Sequence, residues 1–253
     1  MSDGAFEDVV ARLRAAGCVF AEEEARLLLG QSGDVAGMVE RRAAGEPLEY
    51  ILGWAEFAGR RFAVAPGVFV PRHRTELLVR LAARFARGTK VVLDLCCGSG
   101  ALGATVAAEV PGIELHAADV EPAAVECARR NVPGEVYQGD LYAPLPPELR
   151  GRVDVLIANV PYVPTGDVAL MPPEARDHEP RVALDGGADG LDVLRRVVAE
   201  APEWLAPGGH VLFEASERQA EAAAVEVRRA GLTAFVEEDD ELGATVVVGL
   251  REL

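Results

Sequence analysis

The chain has 253 residues and a mass of 26.8 kDa, room for one large domain or an ordinary domain with a small companion. With 50% apolar and 26% charged residues, it can bury a sizeable core, which excludes a disordered polyelectrolyte. The net charge of −16 is uneven: 7 basic and 11 acidic groups in residues 1–70, 6 and 1 in 71–90, and 12 and 29 in 91–253. Duplex-binding enzymes carry a basic footprint, because phosphate neutralisation supplies much of their affinity. Nucleic acid is therefore not expected as a direct substrate. No run approaches the roughly 18–20 apolar residues that span a bilayer. The start, MSDGAFEDVVARLRAAG, is acidic before it is apolar, unlike a secretory signal. Cys18, Cys96, Cys97 and Cys127 form no Cys-x-x-Cys pair, and no His/Cys/Asp grouping has metal-ligand spacing. The expectation is a cytoplasmic protein with no metal and no membrane partner.

Residues 5–45 read as three helices. Phe6, Val9, Val10 and Leu13 follow the i, i+3, i+4, i+7 spacing. EEEARLLLG (22–30) stops at Gly30. Val35, Met38, Val39 and Arg42 line a third helix that Asp34 can cap. From Glu49 the pattern changes: Phe57 and Phe62 flank a turn around Gly59, as in a β-hairpin. The basic stripe from Arg72 to Lys90 fits the solvated face of a helix as well as a ligand-facing one. Beyond it strand and helix alternate, with strands at 90–95, 113–119, 134–138, 153–158, 208–215, 232–236 and 244–250. Helices fall at 101–109, 122–131, 189–205 and 217–230. Short apolar strands separated by helices imply an α/β doubly wound parallel sheet. The last two strands are joined without a helix, so the final strand should be antiparallel. The acidic run Glu237–Glu241 reads as a solvated turn.

The first of these strands ends in Asp94-Leu95-Cys96-Cys97-Gly98-Ser99-Gly100, and a helix follows. Gly98 and Gly100 permit a sharp turn and close approach of a ligand to the backbone. Asp119 ends the next strand, where a carboxylate can accept both hydroxyls of a ribose. GSGALG (98–103) also satisfies the dinucleotide pattern, but Asp94 favours the S-adenosylmethionine variant of the loop. Ala158-Asn159-Val160-Pro161-Tyr162 closes the fourth strand and should face the same crevice. It resembles the Asn-Pro-Pro-Tyr motif of methyltransferases acting on planar nitrogens. An amide nitrogen is a poor nucleophile because its lone pair is delocalised. The Asn159 side-chain oxygen and the Val160 carbonyl, accepting its two N–H bonds, would raise its electron density and aim it. Tyr162 would pack against the flat group.

Four segments carry a wider resemblance: GEPLEYILGWAEFAGRRFAVAPGVFVPR (45–72), VLDLCCGSG, NVPY, and PEARDHEPRVALDGGADGLDVLRRV (173–197). In order and spacing they resemble the HemK-like protein-(glutamine-N5) methyltransferases, which modify a glutamine of peptide-chain release factors. The resemblance implies a helical N-terminal domain (1–46), a β-hairpin linker (47–70) and a methyltransferase domain with a Rossmann-like seven-stranded sheet (71–253). Cys96, Cys97, Gly98, Ser99 and Gly100 would form the cofactor loop, and Asp119 would hold the ribose. Asp140 and Leu141 would flank the adenine, Asn159 would border both cofactor and acceptor, and Asn159, Val160, Pro161 and Tyr162 would hold the substrate amide. S-adenosylmethionine is then the cofactor and S-adenosylhomocysteine the product; a protein, of the release-factor kind, is the partner.

Departures from the family pattern mark a divergent member. Cys96 stands where a glycine is usual, and its side chain narrows the cleft unless the backbone avoids positive φ. Val160 replaces the first proline of the motif. Pro-Arg-Pro-Glu-Thr-Glu reads Pro71-Arg72-His73-Arg74-Thr75-Glu76, and Glu214-Ala215-Ser216 lacks a customary glycine. Methylation of adenine or a small molecule, nicotinamide-dependent redox chemistry, and non-catalytic cofactor binding stand as competing readings. His116 and His210, in strands, read as structural; His178, in the loop after NVPY, is a candidate for touching substrate.

Overall fold

The computed structural model describes residues 3–88 and 91–253; Lys90, the first residue of the expected strand 90–95, lies outside them. Helices α1 (Asp3–Ala15), α2 (Ala21–Leu29) and α3 (Val35–Ala43) pack on one another. Val10, Leu13, Leu28 and Val39 turn inward with Ile51, so the apolar spacing read in the sequence is the packing face. Asp34 caps α3 by accepting from the Gly37 N–H at 2.9 Å. Arg42, also on the inward face, is buried because Glu24 takes its guanidinium at 2.6 Å and Glu174 at 2.7 Å. A short helix α4 (Leu48–Leu52) leads to the hairpin β1 (Trp54–Phe57) and β2 (Arg60–Ala63), whose turn lies at Ala58-Gly59 as expected.

Helix α5 (Glu76–Ala86) buries Leu77, Leu78, Leu81 and Ala82 and faces solvent with Arg80 and Arg84. The main sheet follows: β3 (Val91–Leu95), α6 (Ala101–Glu109), β4 (Glu114–Asp119), α7 (Pro122–Asn131), β5 (Glu135–Gln138) and β6 (Val153–Ala158). A short helix α8 (Pro173–His178) then precedes α9 (Asp192–Trp204), β7 (Leu205–Ala215), α10 (Glu217–Arg229), β8 (Thr233–Asp239) and β9 (Ala244–Leu250). Strand order is β5-β4-β3-β6-β7-β9-β8, with β9 antiparallel to both neighbours and the other pairings parallel. This is the doubly wound α/β architecture with the seven-stranded sheet that the resemblance implied. Apolar clusters fill both faces, which is why β3 and β6, each broken only by one aspartate (Asp94, Asp154), read as near-continuous apolar runs rather than alternating ones. No helix among the described residues is long and apolar enough to cross a membrane.

Two local readings change. The acidic run Glu237–Glu241 is mostly strand, since β8 continues to Asp239 and only then turns. Arg80 pairs with Asp239, and Arg84 with Glu237 at 3.3 Å, so the basic stripe and the acidic run are two sides of one contact. A charged edge strand also resists pairing with other chains. Strand β7 begins at Leu205 rather than 208, with a register shift between Val153 and Val155 of β6 that absorbs Pro207-Gly208-Gly209.

Candidate active site

The sheet changes winding direction at β3. The chain proceeds outward through β4 and β5, then returns to β6 on the other side, leaving a crevice beyond the carboxyl ends. Leu95 is in register with Ala118 on one side and with Ala158 on the other. The next residue along each strand is Cys96, Asp119 and Asn159. Three segments separated in sequence thus emerge side by side as the floor of one cleft.

The glycine loop is held by its neighbour strand. Cys97 N–H donates to the Ala118 carbonyl at 3.1 Å, and Gly98 N–H to Asp119 Oδ2 at 2.8 Å. Asp119 Oδ1 accepts from Glu121 N–H at 2.9 Å. Burial raises the Asp119 carboxyl pKa against the pull of these donors. Behind the loop, Asp94 is fully buried and accepts from Gly103 N–H at 2.9 Å. Desolvation pushes it to about 7, and its second oxygen has no partner. Gly100 does not line the cleft; it makes the expected sharp turn, with φ of 76°, and a Cβ there would also collide with Val132 at the end of α7. Cys96 does line it, with φ of 54°, so the residue accepts the left-handed strain that a glycine would avoid. Leu141 shares this conformation at φ 50° and lines the same wall beside Asp140, which pairs with Arg196 at 2.6 Å.

Asn159, Val160, Pro161 and Tyr162 form the opposite wall. The Asn159 Oδ1 is buried and has no hydrogen-bond partner among the described residues. Such an atom costs free energy unless something completes it. Val160 is buried, and Tyr162 is shielded enough that burial, then the neighbouring Glu214 carboxylate, raises its hydroxyl pKa. All eleven residues expected on the cleft, from Cys96 to Tyr162 apart from Gly100, line it. His178 does not: it is exposed on α8. His73 also stays outside, exposed and bonded to Glu76 at 2.7 Å, whereas Arg74 lines the cleft. His116 bonds Tyr137 and Glu114, and His210 stacks on Phe85 at 4.1 Å.

Gln219 and Asn131 had no signal in the sequence, and neither had the pairings of Arg72 with Glu179 and of Arg74 with Glu214, although all four of these charged residues lie in stretches singled out above. Gln219, from α10, donates to the Tyr162 and Asp189 carbonyls at 2.9 Å each and holds the NVPY loop from behind. Asn131 donates to the Ser99 and Ala63 carbonyls at 2.8 Å, tying the hairpin to the glycine loop. Glu179 accepts from Arg72 at 2.6 Å and from Val70 N–H at 3.3 Å, fixing the segment that carries Phe69 and Pro71 over the cleft. Tyr162 meets Arg74 and Glu214.

A model of the Methyltransferase small domain family matches residues 60–171. A release factor glutamine methyltransferase of Geobacter sulfurreducens is 40% identical over 220 residues, covering 85% of this chain and 76% of that protein. This chain belongs to the release factor glutamine methyltransferase family. A 4-amino-L-phenylalanine/4-methylamino-L-phenylalanine methyltransferase of Streptomyces pristinaespiralis is 41% identical, covering 70% of this chain and 63% of that protein. The crystal structure of a methyltransferase from Pyrococcus furiosus has a TM-score of 0.59 at 17% identity, covering 86% of this chain and 100% of that one, and shares the fold. The chain is thus a methyltransferase, and in open α/β sheets ligands bind in the crevice at such a winding reversal.

Proposed function

We propose that this methyltransferase binds S-adenosylmethionine in the cleft and methylates the side-chain amide nitrogen of a glutamine in a protein of the release-factor kind. The observation that carries the reading is the buried, unpartnered Asn159 Oδ1, aligned in register with the glycine loop and Asp119. The cofactor's nucleoside fits this set, since Asp119 offers a half-buried carboxylate to ribose hydroxyls, and Asp140 and Leu141 flank the space beyond it. When bound, the cofactor supplies a methyl group activated on a sulfonium sulfur.

The chain's own residues do the rest. Cys96 to Ser99 present backbone to the cofactor. Asn159 Oδ1 and the Val160 carbonyl accept the two N–H bonds of the amide, which restores electron density to the nitrogen and orients its lone pair. Pro161 and Tyr162 hold the flat group in plane. Orientation supplies most of the acceleration, and no side-chain base is needed, because the methylated nitrogen is acidic enough to release its proton. The same reading divides the chain into a helical cap (1–46), a hairpin linker (47–70) and a catalytic domain (71–253), supported by the separate apolar cluster of α1–α3.

A second reading, methylation of a small aromatic amine, is favoured by the amino-phenylalanine methyltransferase among the relatives. Such an acceptor presents the same planar nitrogen to Asn159 and Val160. The deciding experiment incubates the purified protein with methyl-labelled cofactor and a bacterial extract, then locates the label by mass spectrometry. Label on a glutamine side chain supports the proposal; label confined to small molecules overturns it in favour of the second reading.

A further inference from the structure

Tyr162 is held at both ends. Its carbonyl accepts from Gln219 at 2.9 Å. Its hydroxyl accepts from Arg74 Nη2 at 2.6 Å and donates to Glu214 Oε1 at 2.6 Å. Arg74 Nε donates to the same Glu214 oxygen at 2.9 Å, closing a three-membered ring of contacts. The three side chains come from the turn before α5, the loop after β6 and the end of β7. Glu214 has a side chain only 3% exposed, while Arg74 is 48% exposed, lines the cleft and carries its guanidinium 5.8 Å from the centre of the Tyr162 ring. A carboxylate so deeply buried needs a cation and hydrogen-bond donors. Arg74 is the cation that reaches it, at a position where the family pattern has an acidic residue.

We propose that Arg74 is a positioning residue: through Glu214 and the Tyr162 hydroxyl it fixes the ring against which the acceptor's flat group packs. This rests on the methyl-transfer reading of the cleft. A tyrosine ring anchored only through its backbone can tilt and drift; one with its hydroxyl shared by a fixed ion pair is held against both. The planar fork of an arginine serves both partners at once, which a lysine ammonium does not reproduce. Misplacing a reacting group by about 1 Å costs up to about 10²-fold in rate, so the anchor is read in kcat.

The test is a double-mutant cycle of Arg74→Ala and Tyr162→Phe, with Arg74→Lys as the conservative variant. Arg74→Ala should lower kcat about 10–100-fold, with cofactor affinity kept within about threefold. In the Tyr162→Phe background, where no hydroxyl remains to anchor, the same change should cost less than about threefold, and Arg74→Lys should recover part of the loss. The chain has four tyrosines, so a spectrum of the ¹³C-labelled rings is assignable, with Tyr162 identified by its loss in Tyr162→Phe. Its ring signal should broaden or shift in Arg74→Ala and return towards wild type in Arg74→Lys, which also serves if the alanine variant does not fold. Equal damage in both backgrounds, or a raised KM with unchanged kcat and an unmoved ring signal, would show that Arg74 meets the acceptor directly and would overturn the proposal. The ring spectrum needs no acceptor. Failure of the wild type to label glutamine would thus sink the substrate reading alone.

Discussion

Asn159→Ala separates stability from chemistry. In the free protein Asn159 Oδ1 is buried without a partner, a debt of about 1–3 kcal/mol carried by the folded state. Truncation to alanine removes that oxygen together with its penalty, and the side chain borders an open cleft, so little packing is lost. Folding stability should therefore stay level or rise by about 1 kcal/mol, which for a chain of this size is about 2–4 °C in Tm. Cofactor affinity should change by no more than a few-fold, because the glycine loop and Asp119 are untouched. Turnover should fall about 10²–10³-fold, the usual cost of one oriented hydrogen bond that strengthens as charge develops in the transition state. Calorimetric melting, cofactor titration and single-turnover methyl transfer on the identified acceptor measure the three quantities. A variant less stable by more than about 1 kcal/mol that keeps over a tenth of its turnover would refute the reasoning. It would mean that Asn159 serves the loop rather than the substrate.

Asp119→Ala should weaken cofactor binding by about 1.5–3 kcal/mol through loss of a charge-assisted acceptor; unchanged calorimetric affinity would place the ribose elsewhere. For Asp94, burial lifts the pKa from 3.8 to about 7, so the folded chain keeps its proton where the unfolded chain has lost it. Stability should then fall as pH rises from about 4 to 7, by up to about 4 kcal/mol, and Asp94→Asn should flatten that slope. Parallel pH–stability curves for the two proteins would contradict the assignment. At Gly190, with φ of 78°, a Cβ would collide with the Tyr162 carbonyl and the Gln219 amide. Gly190→Ala should cost about 1–3 kcal/mol in stability and lower turnover by displacing the acceptor loop; full activity at an unchanged Tm would show that Gly190 does not support that loop.

What the sequence determined by itself is what the backbone encodes locally. The run Val91–Leu95, the glycines after it and the helix-forming Ala101–Glu109 are contiguous, so strand, turn and helix were readable from period and punctuation. The same holds for Asp119 and for Asn159 to Tyr162, each at the carboxyl end of an apolar strand. The parallel order of those strands then placed them on one edge, because a right-handed crossover leaves few alternatives. Tertiary structure decided everything that depends on partners far apart in the chain. Arg74 meets Glu214 across 140 positions, Arg72 meets Glu179 across 107, and Gln219 reaches the Tyr162 carbonyl across 57. None of these pairs leaves a periodic trace, since each side chain obeys its own helix, strand or turn and the contact exists only once the sheet has assembled. The acidic run at Glu237 shows the same limit: alone it reads as solvated turn, and only pairing of Glu237–Asp239 with Val246–Ala244 of β9 makes it strand, with Arg80 and Arg84 of α5 answering its charge. Cys96 shows it for the backbone. A cysteine carries no preference for positive φ, and only in the assembled sheet, where Cys97 and Gly98 bond to the end of β4, does Cys96 take it.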